Sequence, residues 1–260
     1  MSESRKIALS FEAFVAEIVL DRPEKLNALD PDMLGQLGEA VTEVEENSAI
    51  RVVVLRANGD RAFCVGADIY AWSALSPLQM WSEWIRRGHR IFEQLATLRQ
   101  PVICAVNGLA FGGGLELALA ADIRLAANDA SFAMPEVKLG TVPGWGGTKR
   151  LPELIGASRA KQLIFSGAPI SAQIAERWGL VNEIVPRADL FDHMRALAKL
   201  IAANAPIAVQ TAKQSIHAGL SGADAQTTES LASAVNAATN DAREGMNAFR
   251  AKRSPEFKNG

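Results

Sequence analysis

Cysteine is scarce in this chain of 260 residues: Cys64 and Cys104 are the only two, and each lies within an apolar segment. Two such thiols do not make a disulfide framework and fit packing residues in a reducing compartment, so a cytoplasmic location is expected. Histidine is equally sparse. His89, His193 and His217 lie far apart, none in a Cys/His cluster with ligand spacing, so no metal site is expected. An excess of one charge sign is missing too: a net charge of −2 gives no basic footprint, so nucleic acid is not an expected partner. No apolar run reaches membrane-spanning length, and the N-terminus lacks the apolar core of a signal peptide, so no membrane partner is expected either. Absent as well are a G-x-S-x-G elbow, a G-x-x-x-x-G-K-[ST] loop and a G-x-G-x-x-G fingerprint, which counts against hydrolase, nucleotide-phosphate and dinucleotide chemistry. What remains is an ordinary globular composition, 48% hydrophobic and 22% charged, long enough for one large domain or two small ones.

The informative stretch runs from Pro101 to Thr148. Val102 to Val106 is an apolar run bounded by Pro101 and Asn107-Gly108, which reads as a strand buried on both faces. Gly112, Gly113 and Gly114 follow, at the start of a helical segment from Leu115 to Ala121. First-turn amides have no intrahelical partner and sit at the positive end of the helix dipole, so they can receive an oxygen that is gaining negative charge. Glu116 lies between Leu115 and Leu117, where a charge is buried unless it faces a cavity or a partner. Glu136 follows Pro135 in a Gly/Pro-rich loop of the kind that carries binding residues. Earlier, the Gly66-Ala67-Asp68 loop can present a backbone amide to a ligand.

Elsewhere, Lys6 to Phe11 and Phe14 to Leu20 read as an edge hairpin, and Asp30-Pro31 caps a helix running to Glu46. Arg51 to Arg56 is a second buried strand. Residues 70–100, with Trp72, Trp81 and Trp84, are a candidate lid ending in an amphipathic helix from Ile85 to Leu98. Ser158 and Ser171 are placed to cap two short helices, and Leu180 to Val185 is a last strand. From Ala188 the chain is helical, with breaks expected at Pro206 and at Gly219 to Gly222.

Together these motifs resemble the crotonase, or enoyl-CoA hydratase/isomerase, superfamily. NGLAFGGGLELALAADIRLA is similar to the family's glycine-rich oxyanion segment, and FAMPEVKLGTVPGWGGTKRL to its second catalytic segment. DRPEKLNAL, AFCVGADI, SAQIAERWGLVNEIVP and REGMNAFRAKR extend the match over nearly the whole chain. The resemblance implies an α/β fold, a spiral core of ββα units over residues 1–187 and an all-helical oligomerisation subdomain over residues 188–260. It implies reversible hydration of 2-enoyl-CoA thioesters, with Ala67 and Gly113 as oxyanion donors, Glu116 activating water and Glu136 protonating the α-carbon. Coenzyme A, part of the substrate rather than a separate cofactor, would be held by Lys25, Leu26, Asp68 and Ile69, with Phe249 and Lys252 supplied by a neighbour in a homotrimer or a dimer of trimers. Tyr70 stands where some relatives carry lysine, and Trp145 where many hydratases carry a small residue. Isomerase relatives often keep only the second acid, so the two glutamates favour hydration. Double-bond isomerisation, acyl-CoA lyase or hydrolase chemistry and a non-catalytic acyl-CoA-binding scaffold are the competing readings.

Overall fold

A computed structural model describes residues 5–260. Alternation of apolar and polar residues starts the chain as the expected hairpin: β1 (Ile7–Glu12) pairs antiparallel with β2 (Val15–Leu20), with Ala13 taking a positive φ at the turn. Helix α1 (Pro31–Glu46) begins where its cap demands, since the Asp30 side chain accepts from the Met33 amide at 2.9 Å. The chain then lays down a repeating pattern. β3 (Val52–Ala57) and β4 (Ala62–Cys64) are followed by the short helices α2 (Ile69–Trp72) and α3 (Pro77–Gln79), a π-helical segment Met80–Ile85, and α4 (Arg86–Thr97). β5 (Val102–Val106) and β6 (Leu109–Phe111) lead into α5 (Gly113–Leu119). β7 (Ile123–Ala127) and β8 (Ser131–Ala133) lead into α6 (Gly147–Ile155) and α7 (Ala157–Ser166). β9 (Ile170–Ser171), α8 (Ala172–Trp178) and β10 (Glu183–Val185) close the body.

The pairs β3/β4, β5/β6 and β7/β8 each place their first strand in a six-stranded sheet of order β1-β2-β3-β5-β7-β10 and their second in a four-stranded sheet of order β4-β6-β8-β9, which the hairpin, β9 and β10 complete. This is the ββα spiral. Neighbours from β2 onward in the larger sheet are parallel, and β5 is buried at every position, which is why its sequence is a continuous apolar run rather than an alternating one. In the smaller sheet, β4, β6 and β8 are also parallel, so the chain turns from β6 into α5 beside β4.

The tail comprises α9 (Leu190–Ala202), α10 (Pro206–Leu220), α11 (Ala225–Ala237) and α12 (Asn240–Ala251). Helix α9 packs across β2, β3, β5 and β7, with Leu190, Met194 and Ala198 in the common core, so the first tail helix is built into the body. A break beyond the two expected ones falls at Thr239, whose side chain caps α12 through the Ala242 amide. Ser171 caps α8 as expected, but Ser158 caps nothing: α7 starts one residue earlier, with Gly156 at the cap position. The tryptophans of the candidate lid separate by burial. Trp84 is in the core, Trp72 is partly buried and Trp81 is exposed. Among the described residues, no helix is long and apolar enough to cross a membrane.

Candidate active site

Three glycines bring two loops together. Gly66, at φ +98°, lies so close to the next turn of the spiral that a Cβ on it would be 2.9 Å from the Phe111 carbonyl oxygen and 3.1 Å from the Gly113 nitrogen. A Cβ on Gly113 would in turn be 3.5 Å from the Ala67 nitrogen, so the Ala67 and Gly113 amides lie close together. Gly112, at φ +51° and ψ −126°, turns the chain from β6 into α5. Among the described residues, neither the Ala67 nor the Gly113 N–H has an acceptor within the chain. Neighbouring N–H groups without an acceptor, one of them at a helix start, are the kind of donor that can receive an oxygen gaining negative charge.

Glu116, in the first turn of α5, is 2% exposed. Its Oε1 accepts from the amides of Trp145 at 2.7 Å and Gly147 at 2.8 Å. Burial pushes its carboxyl above the usual carboxylate range, while the amides of residues 144, 145 and 147 and the Arg150 charge act in the opposite direction by favouring the anion. Glu136 is treated differently. Both of its carboxylate oxygens are buried and neither has a hydrogen-bond partner among the described residues, although other atoms of the residue reach solvent. Its Oε1 lies 3.1 Å from the position a Cβ on Gly112 would take, which places the acid beside the glycine turn. Its pKa is pushed up to about 7, mainly by burial and in smaller part by the negative charge of Glu116, with the Glu136 amide acting in the opposite direction. One site thus holds an acid anchored by amides and a second acid left free to exchange a proton near neutrality.

The wall beyond Gly113 is Trp145, 2% exposed, whose ring centroid is 5.2 Å from Phe92 and 5.4 Å from Trp84. A Cβ on Gly113 would be 2.6 Å from this indole, and one on Gly88 of α4 would be 2.4 Å from its opposite side. Both glycines are needed for the ring to fit.

The segments that carry Lys25 and Leu26 on one side and Asp68 and Ile69 on the other are hydrogen-bonded to each other. The Leu29 amide donates to Gly66 O and the Asp68 amide to Leu29 O, each at 2.8 Å, and the Val65 amide donates to Leu26 O at 3.2 Å. Leu26 and Asn27 adopt positive φ values of 53° and 55°, and buried Asn27 holds this turn by donating to Asn58 O and Ala62 O. The Asp68 carboxylate is already occupied, pairing with Arg22 at 2.9 Å and capping Tyr70, whereas Lys25 is exposed. Phe249 and Lys252 are not joined to these residues. They lie exposed at the end of α12, which packs on α11. Sequence reading did not find Arg22, the amides of Trp145 and Gly147, or Arg150, because each acts through a contact distant in sequence or through its backbone.

A spiral of ββα turns carrying this loop pair has the crotonase architecture. The family model for enoyl-CoA hydratase/isomerase matches residues 10–260. The chain is 40% identical to the short-chain-enoyl-CoA hydratase of Clostridium acetobutylicum over 99% of both chains. It is 39% identical to the crotonyl-CoA hydratase of Syntrophomonas wolfei, covering 96% of this chain and 97% of that one. The solved enoyl-CoA hydratase of Bacillus anthracis matches with a TM-score of 0.95 at 39% identity, over 98% of this chain and all of the other. This chain belongs to the enoyl-CoA hydratase/isomerase family of the crotonase superfamily.

Proposed function

We propose that this protein is a hydro-lyase that adds water reversibly across the C2–C3 double bond of 2-enoyl-CoA thioesters. The observation that carries the reading is the unequal pair of acids beside two unpaired amides. The thioester carbonyl oxygen sits between the Ala67 and Gly113 N–H groups. Ionised Glu116 takes a proton from water as the water oxygen bonds to C3, and the π electrons move to leave enolate charge on the thioester oxygen. Protonated Glu136 then gives its proton to C2, producing the 3-hydroxyacyl thioester. The two acids end the cycle with their protonation states exchanged and reset through solvent. No separate cofactor enters these steps.

Lys25 and the backbone around Leu26, Asp68 and Ile69 are the proposed contacts for the coenzyme A portion, with Asp68 contributing through its backbone because Arg22 holds its carboxylate. Trp145 fills the space past Gly113, which favours short acyl chains. Purified protein should therefore remove the conjugated thioester absorbance of crotonyl-CoA, with kcat/KM falling by about tenfold or more as the chain lengthens to eight or ten carbons. Conversion of a 3-enoyl substrate without net addition of water would instead establish isomerase chemistry, and binding without turnover would establish a scaffold.

Phe249, 84% exposed, and Lys252 complete the coenzyme A site of a neighbouring subunit in this reading. Leu231, Val235 and Met246 on α11 and α12 are also more than half exposed and supply the apolar surface for association. Sedimentation equilibrium at micromolar concentration should give a trimer or a hexamer; a fully active monomer would remove the role of Lys252.

A further inference from the structure

Two amides point at one carboxylate oxygen of Glu116, one from Trp145 in the irregular segment before α6 and one from Gly147 at the first position of α6. Arg150, in α6, is 8% exposed and folds back over this loop. Its Nη1 donates to the Trp145 carbonyl at 3.0 Å, and its Nη2 is paired with Glu93 of α4. The backbone amides of Arg150 and Lys149 donate to the Gly146 carbonyl at 2.9 and 3.1 Å. Gly146 has φ +107°, and a Cβ there would be 2.1 Å from Nη1, so the guanidinium lies over a bare Cα. Both carbonyls flanking the turn are therefore held by residues 149 and 150.

We propose that Arg150, braced by Glu93, is the positioning residue of this site: it aims the Trp145 and Gly147 amides at Glu116 and places a positive charge behind it. This rests on the reading of Glu116 as the base in hydration. Arg150 does not touch the reacting atoms in that reading; it acts through the loop and through its charge. The guanidinium suits the task because its planar fork can serve the Trp145 carbonyl and the Glu93 carboxylate together, which a lysine ammonium cannot do with the same geometry.

The charged groups around the pair are few. Glu116 is influenced by Glu136 and Arg150. Arg150 faces Glu93, and the adjoining groove is lined by Lys149 and Glu153 of α6 and, across it, by Asp122, Arg124, Lys213 and His217. Asp122 is bound to Lys213 at 2.7 Å, and Arg124 is spent on the carbonyls of Ala121 and Leu180. Glu93 is thus the direct counter-ion of Arg150.

The test is the pH profile of kcat/KM for crotonyl-CoA hydration, measured with the full chain and with Arg150→Met, Arg150→Lys and Glu93→Gln, alongside each variant's Tm. Arg150→Met removes both grip and charge. Its kcat should fall about a hundredfold, and its acid limb, set by ionisation of Glu116, should move up by about half a pH unit or more. Arg150→Lys keeps the charge and loses the fork, so its limb should return toward that of the unmodified protein while kcat stays low. Glu93→Gln leaves the guanidinium without its counter-ion, so its limb should move the other way, to lower pH. A purely structural residue would change Tm and the amount of active protein but not these opposed shifts. Superimposable profiles for Arg150→Lys and Glu93→Gln, together with an unshifted or unfolded Arg150→Met, overturn the proposal. Absence of hydration by the unmodified protein overturns the functional reading instead.

Discussion

Glu136→Gln should lower kcat for crotonyl-CoA hydration by about a hundred- to ten-thousandfold while leaving the fold intact, and Glu116→Gln should do the same. The two losses should not add, because both acids act on one transition state: the double variant should be little slower than the slower single one. The structure also gives the losses a pH signature. Glu136 must hold its proton to protonate C2, and its pKa is about 7, so kcat/KM should decline as pH rises above about 7 in the unmodified protein. Glu136→Gln should remove this alkaline limb from the residual activity. The same group affects stability. Its folded pKa lies above its unfolded value, so its contribution favours folding below about pH 4.5 and is lost as pH rises toward 7. Glu136→Gln should therefore raise Tm at pH 8 relative to the unmodified protein, and by less at pH 5, with an effect on the order of 2 kcal/mol after allowing for partial solvent screening. Stopped-flow absorbance and thermal unfolding at the two pH values check both parts. If both single variants hydrate crotonyl-CoA at the unmodified rate, neither acid has its proposed role. An isomerase would respond asymmetrically, losing activity with Glu136→Gln and keeping most of it with Glu116→Gln.

The sequence disclosed those elements whose determinants are local. Asp30-Pro31 begins α1 where it should, and the run from Val102 to Val106 is a core strand because it lies inside the sheet between β3 and β7 and packs against α9 and β4. Glycines at 66, 112 and 113 marked the loop pair, and resemblance supplied the roles of Ala67, Gly113, Glu116 and Glu136. Helix starts were less legible: Ser158 looked like a cap, but Gly156 already provides the turn, at φ +79°. The supporting contacts were not legible. Arg22 meets Asp68 across 46 positions, and Arg150 of α6 meets Glu93 of α4 across 57, so neither pair is visible in a local pattern. The contrast between the two acids was equally hidden, because it depends on which backbone amides reach which carboxylate. Trp145 was visible as a bulky residue in a glycine-rich segment, but its accommodation by Gly88, 57 positions earlier, needed coordinates.

Gly114→Ala should be among the most damaging single-methyl changes in the chain. A Cβ at this position would lie 2.0 Å from the Cys64 carbonyl oxygen and 2.6 Å from its carbonyl carbon. Both are backbone atoms of β4, so no side-chain rotation can relieve the overlap. Helix α5 would have to move off the strand, with an overpacking cost of about 3 kcal/mol or more and a fall in Tm of roughly 10 °C. Function should fall further than stability alone explains. The Gly113 amide precedes the displaced residue and the Ala67 amide follows β4 by three residues, so separating helix from strand pulls the two oxyanion donors apart. Gly219→Ala is the matched control, since it adds the same methyl inside α10 where a Cβ meets nothing within 4 Å. There the change should stabilise by about 0.5 to 1 kcal/mol through higher helix propensity and leave kcat unchanged. Thermal unfolding and crotonyl-CoA hydration of the two variants, measured in parallel, separate the effects. A Gly114→Ala protein with unchanged Tm and unchanged turnover would show that α5 does not need its close seat on β4 to hold the two amides in place.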